Sequence, residues 1–356
     1  MSVLIKRIDS ASGGGSSKGY PPGNINIIKK SGLNGSVSLR WSDPDNIVSG
    51  NQTLSTWSST ILVRKEGSAP KSPTDGTVVI TNTTKNKYKD TDLVDSGLTN
   101  GKTYYYRFFT VNTDKVYNTD SSMIYTIKVS QLNSILKNNT WEQINTASES
   151  GIASSIWKVG DEIDLTLSGT FNETVTLQIL DFNHFDKSDG SGKAGIVFGM
   201  KHLMKNYQQM NSYNTNSGGW NDSAMRNTVM QNIYKSIPSN LQKVIKEVNT
   251  YANQGGYSES SSVGKLSKDK VFFPGCTEVG FTFQSSTESG QKAFPIFTDN
   301  NSRIKKMNNG NGIACDWWTR SPYCNNSGYF SNVYSDGSGI SNYPYYSIGV
   351  CFCFCV

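Results

Sequence analysis

Between Ile25 and Val129 apolar residues alternate with polar ones in short runs, helical periodicity is absent, and Gly, Asn and Asp clusters separate the runs. A chain with this period can bury one face of a strand but not one face of a helix. Val37, Leu39 and Trp41 share one such face, Ile61, Val63, Val78 and Ile80 mark further runs, and Tyr104 to Val111 is densely aromatic and β-branched. The pattern predicts an all-β sandwich over residues 25–130.

Two local motifs narrow that expectation. Trp41 stands in Ser-Leu-Arg-Trp-Ser-Asp-Pro, and Leu98-Thr-Asn-Gly-Lys-Thr-Tyr104 combines a leucine, a turn and a tyrosine. Together they resemble the fibronectin type III family, over about 105 residues, and the resemblance implies an immunoglobulin-like sandwich. The resemblance implies that Trp41 is the core tryptophan of the second strand and that the Tyr104 hydroxyl returns to a backbone group upstream. Both are structural roles.

Residues 1–24 read as a short leader and a linker, because Gly/Ser-rich residues 10–19 precede the stiffer Pro21-Pro22 pair. Either an attachment arm or a frayed terminus fits the leader. Only Val3-Leu-Ile5 are apolar in sequence there, short of the roughly 7 to 15 residues of a secretory signal. Synthesis in the cytoplasm without Sec export is the expectation. No apolar run reaches the roughly 18 residues that cross a bilayer. The net charge of +6 is spread thinly, and without a basic cluster no nucleic-acid partner is expected.

Near residue 131 the pattern changes. Thr140-Trp-Glu-Gln143 fits a capping box, and Gly151 is placed to end the helix. Ile163, Leu165 and Leu167, then Val175, Leu177 and Ile179, alternate as a hairpin with its turn at Thr170 to Glu173. Met225, Val229, Ile233 and Ile237 are spaced four apart, and Leu241, Val244, Ile245 and Val248 follow Pro238. This predicts two amphipathic helices divided by the proline. Residues 131–356 are therefore expected to form an α+β domain.

An ordered set of motifs runs through that domain: Trp157-Lys-Val-Gly-Asp161, Phe182-Asn-His184, Gly218-Gly-Trp220-Asn-Asp-Ser-Ala-Met-Arg226, Pro238 with Leu241, and Trp317-Trp318-Thr-Arg320-Ser-Pro322. The set resembles a poorly characterised domain family of gut bacteria and their phages, some of whose members are variable proteins of diversity-generating retroelements. The resemblance implies a C-type lectin-like fold, with Trp220, Arg226, Trp317, Trp318, Arg320 and Pro322 as scaffold and a variable region over about residues 317–356.

Single pieces carry less. Trp220-Asn221-Asp222 matches the tripeptide of calcium-dependent lectins, but it precedes a helical pattern, so Asn221, Asp222 or Ser223 is expected to cap that helix. No partner Glu-Pro-Asn or Gln-Pro-Asp motif exists, and neither metal nor cofactor is expected. His184 and His202 are the only histidines, which leaves little for acid-base catalysis. The six cysteines all lie at or beyond Cys276 and form no CxxC pair, against a zinc site.

The last 34 residues, Tyr323 to Val356, contain no Lys, Arg, Glu, Gln, His or Leu, and Tyr, Ser, Asn, Gly and Cys dominate them. Cores use Leu and surfaces use Lys and Glu; Tyr with Ser, Gly and Asn is the vocabulary of antibody-like paratopes. Adenine-directed mutagenesis of an AAC codon yields Asn, Tyr, Ser, Asp, Gly, Ile, Phe or Cys, and also His, Leu and Arg, whose absence this origin does not explain. Tyr323, Asn325, Asn326, Ser327, Tyr329, Ser331, Tyr334, Ser335, Ser338, Ile340, Ser341, Asn342, Tyr343, Tyr345, Tyr346, Ser347 and Ile348 are the candidate variable, ligand-contacting positions. Val333, Gly337, Gly349 and Val350 stand at scaffold points between them. The closing Val350-Cys-Phe-Cys-Phe-Cys-Val356 alternates, which puts Phe352 and Phe354 on one face of a strand and the cysteines on the other.

These readings combine into a multidomain, non-enzymatic adhesin of the phage-tail type, with a fibronectin-like spacer and a lectin-like domain presenting a diversified surface. The expected partners are a bacterial surface protein or glycan and phage tail components through the N-terminus; the resemblance to phage receptor-binding proteins, and no residue here, implies two further copies in a homotrimer. The expected location is the virion, with the bacterial cell surface as alternative. Two rivals remain open at this point: a lectin of fixed glycan specificity, and an enzyme of the formylglycine-generating kind using Cys315 and Cys324.

Overall fold

The computed structural model describes residues 19–256, 265–280, 288, 290–308, 312–323 and 326–356. The leader, residues 10–18 of the linker, Cys324 and Asn325 lie outside the described residues. The chain divides into two compact units, 1–131 and 132–356.

In the first unit, strands Asn26–Leu33, Ser36–Ser42 and Leu93–Ser96 form a three-stranded sheet. Thr77–Asn82, Trp57–Glu66, Thr103–Asn112 and Ile124–Lys128 form a four-stranded one in that spatial order. The two sheets share one core in which Val37, Leu39 and Trp41 meet Leu62, Tyr106, Phe108 and Ile127. Trp41 is fully buried, stacks on Tyr88 at 4.7 Å and meets Phe108 edge-on at 5.0 Å. The Thr99 N–H donates to the Tyr104 hydroxyl at 3.1 Å, upstream of the tyrosine. Not every alternating run faces as the pattern suggests. A bulge between Leu62 and Val63 buries both, leaves Ile61 half-exposed, and Val78 faces solvent.

The second unit is built on a five-stranded antiparallel sheet in the order Glu162–Leu167, Glu173–Phe182, Ile196–Met200, Cys353–Cys355, Val271–Phe272. The C-terminal strand is thus an interior strand, paired on both sides. Val350 to Val356 is buried residue by residue, and Phe354 packs on Phe198 and Trp141. Both faces of this strand are covered, so the cysteines lie as deep as the phenylalanines, and they are free thiols. Burial raises the pKa of all three, which leaves them as small apolar fillers.

The helix Trp141–Glu149 carries the capping box of Thr140 and Gln143, and Gly151 follows it with a left-handed backbone, φ +74°. The apolar residues spaced four apart behave differently. Met225–Met230 is a π-helical stretch continuing into the α-helix Gln231–Ser236. Its extra residue puts Met225 and Met230, five apart, into the core, while Val229 is only half-buried. The second predicted helix is a single turn, Ser239–Gln242, and Val248 already opens a strand.

Asp43 shows how tightly the first unit depends on a buried acceptor. It is buried and receives Trp41 Nε1 (3.0 Å), Thr60 Oγ1 (2.6 Å), Asn82 Nδ2 (3.3 Å) and the Asn86 N–H (2.7 Å). Asp43→Ala strands these donors, each worth about 1 to 3 kcal/mol when buried and unpaired. Urea denaturation, followed by exchange of the Trp41 indole N–H and the Asn86 amide, should show a loss of at least roughly 3 kcal/mol.

Candidate functional site

Three strands frame the C-terminal surface: Trp317–Pro322, Phe330–Val333 and Gly339–Asn342, antiparallel in that order. Every residue from Trp317 to Pro322 is buried. Trp317 Nε1 donates to Arg303 O and Trp318 Nε1 to Gln208 O, both at 3.0 Å, so two large rings fix the strand to distant segments.

Beneath the strand lies a polar core. The Arg320 guanidinium forms a doubly bonded ion pair with Glu278 and also donates to Phe273 O (2.7 Å) and Tyr251 O (2.9 Å), with both charged residues fully buried. Bidentate pairing of this kind is what makes a buried charge tolerable. Glu288 accepts the Asn253 N–H (2.7 Å), the Ser321 hydroxyl and the Gln291 amide. Burial pushes the Glu288 carboxyl up to about 7, against these bonds and against the charge of Arg320.

Trp220 and Arg226 belong to a second buried cluster. Trp220 Nε1 (2.9 Å), Arg226 Nε (2.7 Å) and Thr250 Oγ1 (2.6 Å) all donate to the Asp269 carboxylate. Asn221 turns its amide oxygen to Ser267, and Ser223 Oγ takes the Arg226 N–H at 3.1 Å. Of the three residues considered, Ser223 is therefore the helix cap. Among the described residues no group of three His, Cys, Asp or Glu side chains is arranged to hold a metal. The His184 side chain is buried, bonds Asp181 through Nδ1 at 2.8 Å and contacts Phe185 and Phe294. It serves as a partnered core histidine.

The six tyrosines of the C-terminal segment are placed at the surface: Tyr334, Tyr345 and Tyr346 are exposed, Tyr323, Tyr329 and Tyr343 half-buried. Five form one chain of ring contacts: Tyr323 with Tyr329 (6.3 Å), Tyr329 with Tyr343 (4.6 Å), Tyr343 with Tyr345 (5.4 Å), and Tyr345 with Tyr346 (5.0 Å). The Tyr329 hydroxyl donates to that of Tyr343 at 2.8 Å, and this bond raises the Tyr329 pKa above the ordinary phenol range. Ile340 and Ser347 are exposed, while Asn326, Ser327, Ser335, Ser338, Ser341, Asn342 and Ile348 are half-buried. Ser331 departs from expectation. It sits on the middle strand, fully buried, so it cannot contact a ligand from there. Tyr334 stands apart from the ring chain, at a cleft of about 350 Å³ lined by Tyr207, Ala314, Cys315, Asp316, Tyr334, Ser335, Ser347 and Ile348.

The residues that hold this surface came mostly from outside the tyrosine-rich segment. Asn216, fully buried, donates through Nδ2 to Tyr323 O (2.9 Å), Asn326 O (2.7 Å) and Tyr329 O (2.7 Å), and its own N–H donates to Ser327 O at 2.7 Å. The Pro344 carbonyl accepts the Met210 and Asn211 N–H groups at 2.9 and 3.1 Å. Arg303 Nε donates to Gly337 O at 2.8 Å. Gly337 itself has φ +83°, and a methyl group there would collide with the Asn300 carbonyl. No local sequence signal marks Asn216, because the loop carbonyls its side chain holds lie more than 100 residues away.

Asn216→Ala leaves three loop carbonyls without their donor. The expected result is a stability loss of about 2 to 4 kcal/mol, with amide exchange accelerated over residues 326–329. Glu288 gives a pH prediction. Its carboxyl holds its proton more tightly folded, at about 7, than at the ordinary 4.5. The folded state therefore binds more protons between these values, and stability falls as pH rises through them, by up to about 1.4 kcal/mol per pH unit. Glu288→Gln should flatten that slope in denaturation curves measured from pH 4.5 to 8; an unchanged slope would assign it elsewhere.

Among known families, one described as a domain of unknown function, DUF6273, matches residues 195–356, which takes in the whole candidate surface. No curated protein matches the chain. Similar solved structures include the third fibronectin III domain of human KIAA0343 protein (16% identity, 35% of this chain and 95% of that one, TM-score 0.21). A β-1,2-glucanase from Parabacteroides distasonis is 13% identical over 38% of this chain and 16% of its own, with TM-score 0.21. The twitchin kinase region of C. elegans is 12% identical over 51% and 31%, again with TM-score 0.21. The chain thus spans under a third of the length of the last two.

Proposed function

We propose that this is a binding protein of the phage-tail adhesin type, without catalytic activity, whose Tyr-rich C-terminal surface is varied by adenine-directed retroelement mutagenesis. The observation that carries the reading is the chain of five partly exposed tyrosine rings on a backbone pinned from elsewhere by Asn216 and the Pro344 carbonyl. Tyrosines in rigid contact lose little side-chain entropy on binding. A backbone held by main-chain bonds tolerates exchange of the side chains it carries.

In this reading the second unit is a C-type lectin-like domain, the first a fibronectin type III spacer, and the N-terminus attaches to other tail components. The target is a protein or glycan of a bacterial surface, met by the virion, in which the adhesin is a trimer. The motif set Trp317-Trp318-Thr-Arg320-Ser-Pro322 and the residue set of the tyrosine-rich segment, which mutated AAC codons would yield, support the retroelement assignment.

Labelled protein applied to a panel of whole gut-bacterial strains tests the binding role. One buried tyrosine anchor contributes about 2 kcal/mol or more, so Tyr343→Ala, Tyr345→Ala and Tyr346→Ala together should weaken binding by at least roughly 30-fold at unchanged melting temperature. Undiminished binding to the same cells by the triple variant would sink the reading. The neighbouring DNA tests the origin: the expected finding is a near-copy of the region encoding Tyr323 onward, differing at adenines, beside a reverse transcriptase gene.

A further inference from the structure

The cleft beside Tyr334 differs in chemistry from the ring chain. Four of its lining residues, Tyr334, Ser335, Ser347 and Ile348, belong to the proposed variable set; Tyr207, Ala314, Cys315 and Asp316 do not. Asp316 is half-buried, and its carboxylate accepts the Ser335 N–H at 3.0 Å and Asn332 Nδ2 at 3.3 Å. Both bonds favour the ionised form. Burial and the like charge of Asp336 hold its pKa above the ordinary aspartate range, and no cation figures among the described neighbours acting on it. The cleft therefore carries an uncompensated negative charge between two exposed tyrosines, Tyr207 and Tyr334, with Ala314 and Ile348 as apolar wall.

We propose that this cleft is a subsite for a cationic side chain of a protein target, an alkylammonium or alkylguanidinium group that pairs with Asp316 while its stem lies along Ala314 and Ile348. As a part of the ligand surface it rests on the reading above. A charged group paired with a half-buried carboxylate gains a charge-assisted hydrogen bond, tyrosine faces attract the same charge, and the methylene stem covers apolar wall. The division of the lining has a consequence for specificity. The floor at Asp316 and Tyr207 stays constant while the walls at positions 334, 335, 347 and 348 vary, so each variant demands a cation and differs in what surrounds it.

The test titrates the full chain with butylammonium, butylguanidinium, neutral 1-butanol and glucosamine, whose ammonium has no alkyl stem, reading the Ser335 and Gly349 amide resonances. The expected result is saturable shifts with the two alkyl cations and none with 1-butanol or glucosamine. Asp316→Asn should weaken the alkyl cations about tenfold. Its amide oxygen can keep the Ser335 bond, and Asn332, whose Oδ1 is buried without a partner, can flip to meet the new NH2 group. Tyr207→Ala, at an exposed position, should weaken them in the same direction. Equal shifts with 1-butanol, no shift with either alkyl cation, glucosamine binding as well as they do, or full affinity in Asp316→Asn would overturn the proposal. A silent cleft, with cell binding lost in the triple tyrosine variant, removes only this subsite. Retained cell binding in that variant removes the surface reading and leaves the cation affinity of the cleft to stand as measured.

Discussion

The insertion of the chain's last residues into the middle of the central sheet is the constraint on which the second unit depends. Cys353–Cys355 pairs with Ile196–Met200 on one side and Val271–Phe272 on the other, and the Val356 carbonyl accepts the Ile196 N–H and the Ser148 hydroxyl. Val350, Phe352, Phe354 and Val356 are buried completely, each contributing about 1.5 to 3 kcal/mol. The segment before them is thereby tied at its far end to the deepest part of the core. At its near end it is tied by the buried Trp317–Pro322 strand. Polar, tyrosine-rich residues between two such anchors hold a defined shape without a hydrophobic core of their own.

The buried charges of this unit serve that shape. Arg320 reaches Glu278, Phe273 and Tyr251, and so joins the strand under the candidate surface to two distant segments at once. Asp269 does the same for Trp220, Arg226 and Thr250. Each group is expensive to bury and is tolerated because its hydrogen bonds are met. Losing one partner leaves the other stranded, which makes such networks specific as well as fragile.

Where local pattern and tertiary demand agree, the sequence is legible. The capping box at Thr140 and Gln143, the alternating hairpin from Ile163 to Ile179, and the buried Trp41 are each encoded within a few residues. Where they disagree, the tertiary demand prevails. The apolar residues from Met225 to Ile237 promise a regular helix, but a π-helical stretch intervenes because Met225 and Met230 both pack inward. Ser331 has the composition of a surface residue and lies inside, on a middle strand whose four residues are all buried.

By itself the sequence determined the β-sandwich character of the first unit, the change of pattern near residue 131, and the presence of a segment that avoids both core and surface vocabularies. These follow from periodicity and composition, which act over a few residues. Only the tertiary structure decided that this segment hangs from Asn216, that five of its tyrosines touch in sequence, and that Asp316 lies uncompensated in a cleft beside Tyr207. Those facts depend on groups about a hundred residues apart being brought within hydrogen-bonding distance, and no local periodicity encodes such a meeting.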